Sequence, residues 1–249
     1  MRNIWTIAKR EYNHYFISPI AYVVAFIMLF TLGIYFTAII NAYAQQSLFG
    51  GGGGAPDVTP INWLFVFLLL FTTPALTMRS ISDEARTGTL ELLLTAPLRD
   101  SELVIGKWLG GMLFILTVLL VTLVYPIIMN SLVSPGIDQQ LMVSSYLGVI
   151  LAAAAFLALG VGVSAIFTNQ IAAFFVTFGL FFIIWFMMGI LGNVFQNGGQ
   201  VFQYLNFSSH FSDAFNTGSI KLSDVVYYFS LIALGLFAGT TAVEIRRWR

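Results

Sequence analysis

Few residues in this chain could carry chemistry, and their placement limits what that chemistry can be. The only Gly-Lys pair is Gly106-Lys107. A phosphate-cradling loop reads G-x-x-x-x-G-K-[ST], with glycines to wrap the phosphates and a hydroxyl to hold magnesium. Here Ser101 stands at the first glycine's place and Trp108 at the hydroxyl's, so the chain has no such loop. The two histidines, His14 and His210, have no clustered carboxylates and make a poor metal site. Intramembrane proteolysis needs a serine facing a histidine, or two aspartates, at depth in a membrane. Neither arrangement falls within the apolar stretches of this sequence. The absence of cysteine removes disulfides and thiolate nucleophiles, and leaves the redox compartment unmarked.

The elements that could position any chemistry are set by composition. Of 249 residues 58% are hydrophobic, 16% aromatic and only 9% charged. A soluble domain carries roughly 25% charged residues. Mean hydropathy is +0.87. A fold of this size could not cover its core with so little polar surface, which excludes a soluble enzyme and predicts an integral membrane protein. Zero net charge and a pI near 6.7 leave no basic footprint for nucleic acid.

A spanning helix needs about 20 mostly apolar residues. Charge-free intervals predict six, at about 20–44, 61–79, 106–131, 143–167, 171–193 and 224–244. The interval from Asp138 to Asp213 must hold two, because about 50 apolar residues overshoot a bilayer. Its only polar run, Thr168-Asn169-Gln170, marks the turn between them. Ala42-Tyr43-Ala44 resembles a signal-cleavage site. The apolar run before it exceeds the roughly 7–15 residues of a signal core, so the first span stays. An even number of spans puts both termini on one side. Ten of the eleven cations fall there (Arg2, Lys9, Arg10, Arg79, Arg86, Arg99, Lys107, Arg246, Arg247 and Arg249), and only Lys221 falls opposite. The positive-inside rule then makes both termini cytoplasmic.

On a helix, residues 2–16 separate Lys9, Arg10, Asn13 and His14 from Ile4, Trp5, Ile7, Ala8, Tyr12, Tyr15 and Phe16. This predicts an amphipathic helix lying in the membrane interface, ended by Ser18-Pro19. Glu11 interrupts its apolar arc, either paired with a nearby cation or meeting a partner protein. Among the outer loops, 45–60 is a flexible connector built on Gly50 to Gly54, and 194–223 is rich in aromatic residues and predicted to form short interfacial helices. No repeat and no separate soluble domain is visible. The chain reads as a single all-α transmembrane domain over 1–249, with a cytoplasmic loop at 80–104.

That loop is the most charged stretch of the chain. Within it Leu90, Leu93 and Leu94 share one helical face, ended by Pro97. A solvated connector would account for Arg79, Arg86 and Arg99, but not for three leucines presented beside water. Such a face seeks a partner or the membrane.

The string Glu84 to Pro97, E-A-R-T-G-T-L-E-L-L-L-T-A-P, resembles the signature of ABC transporter type-2 permeases. The tail from His210 to Arg249 is similar to the gliding-motility permease subgroup. The resemblance implies an export-type permease subunit of a bacterial inner membrane. It further implies a homo- or heterodimer of permeases bound to two cytoplasmic P-loop ATPase subunits that hold the ATP and magnesium. It makes residues 80–104 a coupling loop docking on the ATPase through Asp83, Glu84, Arg86, Thr87, Gly88, Thr89, Leu90, Glu91, Leu93, Leu94 and Pro97. Trp5, Lys9, Arg10 and Glu11 would flank that contact. No cofactor is expected on this chain itself.

Two further readings concern the spans. None carries an ionisable residue at depth, which disfavours ion-driven transport and calls for a separate energy source. Ala154, Ala158 and Gly162, like Gly106 and Gly110, have the spacing that lets helices approach closely, within one subunit or at a dimer seam. If the pathway follows the dimer interface, Thr72, Thr73, Thr77 and Asn193 are its candidate polar lining. The alternative is a non-transporting anchor or force-transmitting scaffold with the same fold.

Overall fold

The computed structural model describes residues 2–48, 57–89, 98–133, 136–195 and 199–247, and every regular element among them is a helix. Helix α1 is Arg2–Ile17 and α2 is Pro19–Leu48. Pro19 opens α2 where a missing N–H costs nothing. Helix α3, Thr59–Thr77, is capped by Asp57, whose carboxylate accepts from the Thr59 N–H and hydroxyl. Pro74 lies one turn from its end, and residues 78–81 form a turn before the short α4, Ser82–Thr87. Gly88, at φ +73°, then stops α4 in the left-handed region that glycine adopts without strain.

Helix α5, Asp100–Thr122, continues after a break at Leu123 into α6, Val124–Leu132. Helix α7, Gln139–Ile166, is capped by Asp138, which accepts from the Gln140 and Leu141 N–H groups. The chain turns at 167–169, and Asn169 caps α8, Gln170–Phe182. A π-turn over Ile183–Met187 leads to α9, Met188–Val194. Two short helices, α10 (Gly199–Leu205) and α11 (Phe207–Ser212), and a 3-10 turn at Phe215–Thr217 precede α12, Leu222–Arg247.

Six helical stretches are long and apolar enough to cross a membrane: Pro19–Gln46, Thr59–Thr87, Asp100–Leu132, Gln139–Ile166, Gln170–Val194 and Leu222–Arg247. The third starts at Asp100, several residues before the charge-free interval. Glu102 accepts the Arg99 N–H and fixes that start within the charged loop.

Helix α7 is the post around which the others stand. Its small residues let α12 lie against it: a Cβ on Gly162 would stand 2.5 Å from the Gly235 carbonyl oxygen, and one on Gly235 would collide with the Ala158 backbone. Helices α2 and α8 instead present Phe26, Phe30 and Phe175 outward, as lipid-facing helices do. The outer segment forms the short helices expected of it, but three of its aromatic residues turn into the core instead of lying at an interface. Phe207, Phe211 and Phe215 recur every four residues and are fully buried. They enter the main core, where Gly148 has no side chain to exclude Phe211 and Phe215 and the Phe207 ring stacks on Phe156 at 4.3 Å. Burying three rings outweighs the interfacial preference of single aromatic residues.

Candidate functional site: a buried lysine joining three elements

The apolar arc of α1 splits in two. Ile4, Ile7, Ala8, Tyr12 and Tyr15 are partly or fully buried, and the helix packs along α5 rather than turning this arc to lipid. Gly106 and Gly110 make the seat: a Cβ on either would come within 2.7 Å of Ile7 or 2.5 Å of Glu11. Trp5, Phe16 and Ile17 remain exposed on the other side. The physical reason is that two glycines one turn apart form a groove only a close helix can fill. Burial pushes the Tyr15 phenol's pKa up, and the neighbouring Glu11 charge adds to it.

This seating brings Glu11 to Lys107. The ammonium, 3% exposed as a residue, donates to Glu11 Oε1 at 2.9 Å and to Glu84 Oε1 at 2.9 Å. Arg10, largely in solvent, reaches the same Glu84 oxygen at 3.5 Å. One lysine on α5 therefore ties the N-terminal helix to α4, the start of the charged loop. In the sequence Lys107 counts only as one of the ten cations on one side. The signal that could have found it was present: a lone acid on the apolar arc of α1, and a lone cation between two packing glycines. Of the two readings of Glu11, pairing with a cation holds, and that cation lies 96 positions away in sequence.

Helix α4 is held from a second side. Ser164 on α7 accepts from the Ile81 N–H at 3.1 Å and the Ser82 N–H at 3.2 Å, all three residues being buried. The Gln170 amide donates to Asp83 Oδ1. Arg86 pairs with Asp83 at 3.1 Å on the exposed face. The Thr87 hydroxyl donates to the Asp83 carbonyl at 2.8 Å and lies 3.0 Å from that of Thr89. A cavity of about 310 Å³ opens beside this cluster, lined by Arg10, His14, Arg79, Asp83, Glu84 and Lys107 among others. Leu90, Glu91, Leu93, Leu94 and Pro97 lie outside the described residues. Lys9 is exposed on α1 beside Trp5.

The other candidates are scattered. Ala154 accepts a hydrogen bond from the Trp108 indole on α5 at 2.9 Å, whereas Ala158 and Gly162 face α12. Thr72, Thr73 and Thr77 are buried within the subunit. The hydroxyls of Thr72 and Thr77 donate to the carbonyls of Leu68 and Thr73 in their own helix, and Thr77 packs on Gly160. Asn193 is exposed on α9 near the opposite end of the bundle, so the structure does not bring these four together.

At that opposite end lies a second buried ionisable group, His210, which the sequence offered only as a poor metal ligand and gave no sign of pairing. His210 Nδ1 is 2.6 Å from Asp224 Oδ1 and its Nε2 is 2.6 Å from the Tyr204 carbonyl, with the ring stacked on Tyr227 at 3.9 Å. Asp224 opens α12, where the helix N-terminus favours a carboxylate.

Six apolar helices, a packed N-terminal helix and a charged loop clamped to both define a multi-pass helical membrane protein. Among the described residues no group of three or more metal-ligating side chains converges. The chain belongs to the ABC-2 transporter family: the model for ABC-2 family transporter protein matches residues 5–232. Among curated proteins none matches the chain. Members of this family are membrane components without an ATPase site of their own, and the chain is the permease component of an ABC transporter. Its partners are therefore the membrane and an ABC ATPase.

Proposed function

We propose that this permease is the export-type subunit of a dimeric transporter in a bacterial inner membrane, with both termini cytoplasmic and an ATPase docked on each permease chain. The observation that carries this reading is the buried Lys107, which binds α1, α4 and α5 into one unit on the face where the cations accumulate. A loop that only linked two spans would need no buried ion triad. A loop that receives force does, because the contact must move its neighbours rather than bend away. ATPase closure pushes residues 80–104, and the helices joined at Lys107 shift as rigid bodies to open the dimer seam outward. ATP and magnesium reside in the partner.

The test is gentle purification from the native membrane, followed by mass spectrometry and an ATP hydrolysis assay. A co-purifying P-loop ATPase whose hydrolysis is vanadate-sensitive supports the reading. A chain that emerges without any ATPase under several mild detergents contradicts it.

A further inference from the structure

The break between α3 and α4 determines where a push on the loop can go. Residues 78–81 are a turn, so the axial ladder of α3 does not run into α4. The backbone N–H groups where that turn meets α4, at Ile81 and Ser82, are taken up by the Ser164 hydroxyl of α7. Around this bond Ile81 packs with Val161 and Ala165 of α7, Val104 of α5 and Val243 of α12 in a small core separate from the main one. Gln170, the first residue of α8, holds Asp83 in addition. Helix α7 is itself pressed against α12 through Gly162 and Gly235.

We propose that the ATPase's stroke is delivered to the α7–α12 pair directly through Ser164, and not only to α3 and α5, the helices continuous with the loop. Ser164 is a positioning residue: it touches neither nucleotide nor cargo, and it fixes the leading end of α4 to α7. This rests on the ATPase-coupled reading above. In buried surroundings two N–H groups sharing one acceptor have no alternative partner, so the joint is stiff and removal of the hydroxyl frees it.

The chain has no cysteine, so single labels report cleanly. In the purified permease–ATPase complex in lipid nanodiscs, Gln140→Cys reports the far end of α7 and Ser131→Cys that of α6 beyond α5. Both positions are exposed. Maleimide labelling rates are compared without nucleotide and after trapping with ADP and vanadate. The expected result is a several-fold change at both positions. With Ser164→Ala the change at Gln140→Cys disappears while that at Ser131→Cys and ATP hydrolysis persist. Ser164→Thr, which keeps the hydroxyl, restores it.

An unchanged response at Gln140→Cys in Ser164→Ala overturns the proposal. So does a silent Gln140→Cys in the unaltered background when Ser131→Cys responds. If Ser164→Ala does not assemble, Gln170→Ala separates the two routes, because it frees Asp83 from α8 and leaves both N–H bonds to Ser164 in place. It is expected to keep the response at Gln140→Cys, and loss of that response places the joint at Gln170 and overturns the proposal. A preparation without ATPase overturns both readings, whereas an active ATPase with a silent α7 overturns this one alone.

Discussion

Lys107 holds Glu84 by a 2.9 Å bond to one carboxylate oxygen, while the other oxygen, itself buried, meets no partner among the described residues. The same ammonium holds Glu11 at 2.9 Å, so the pairing is a bridge between α1 and α4 rather than a local contact. Two acids around one cation tolerate the loss of that cation poorly, because Glu11 would stay desolvated without compensation and Glu84 would keep only the 3.5 Å contact with Arg10.

Lys107→Met is therefore expected to lower stability by roughly 3–5 kcal/mol. For a chain of this size each kcal/mol corresponds to about 2–4 °C in Tm. The neutral triple variant Glu11→Gln, Glu84→Gln, Lys107→Met should recover most of the loss. Thermal unfolding in detergent checks both, and a single variant as stable as the parent would show that the triad is not structural.

The seat of α1 can be tested apart from charge. Gly110→Leu drives a side chain into the Glu11 position, where even a Cβ would come within 2.5 Å. It should lift α1 from α5 and expose residues 2–17 to limited proteolysis. Gly179→Ala is the matched control, since nothing lies within 4 Å of a Cβ there. On a helix interior it should stabilise by about 0.4–1 kcal/mol. Equal proteolysis of the two variants would contradict the seating.

His210→Ala leaves Asp224 buried with neither of its oxygens bonded to a side chain. The expected cost is about 3–5 kcal/mol, the usual penalty for orphaning a buried charge. Protease should then cut first in the segment 199–217 that the ring anchors through Tyr204. His210→Ala combined with Asp224→Asn should be more stable than His210→Ala alone. Additive losses in the double variant would show that the two residues do not act as a pair.

Much of this architecture was legible in the chain because membrane solvation writes it in long, charge-free intervals. Six spans follow from the charge-free intervals and their lengths, the turn at Thr168-Asn169-Gln170 from the only polar run within the longest, and the Gly88 stop falls within the recognised string. Contacts set by shape were not legible. Residues 2–16 have an amphipathic arc that suits a membrane surface as well as a neighbouring helix, and only Gly106 and Gly110 decide between them. Phe207, Phe211 and Phe215 looked interfacial because their pocket depends on Gly148, far away in sequence. Ser164 was invisible: a serine in an apolar span gives no sign that two N–H groups 82 and 83 positions earlier will need it.

The most direct test of the ATPase-coupled account is the amount of ATPase bound per permease chain when Leu90, Leu93 and Leu94 are all replaced by serine. The account predicts one ATPase per permease for the parent and almost none for the variant, with the variant still inserted in the membrane. An undiminished ATPase complement in the variant, or none with the parent, would contradict it.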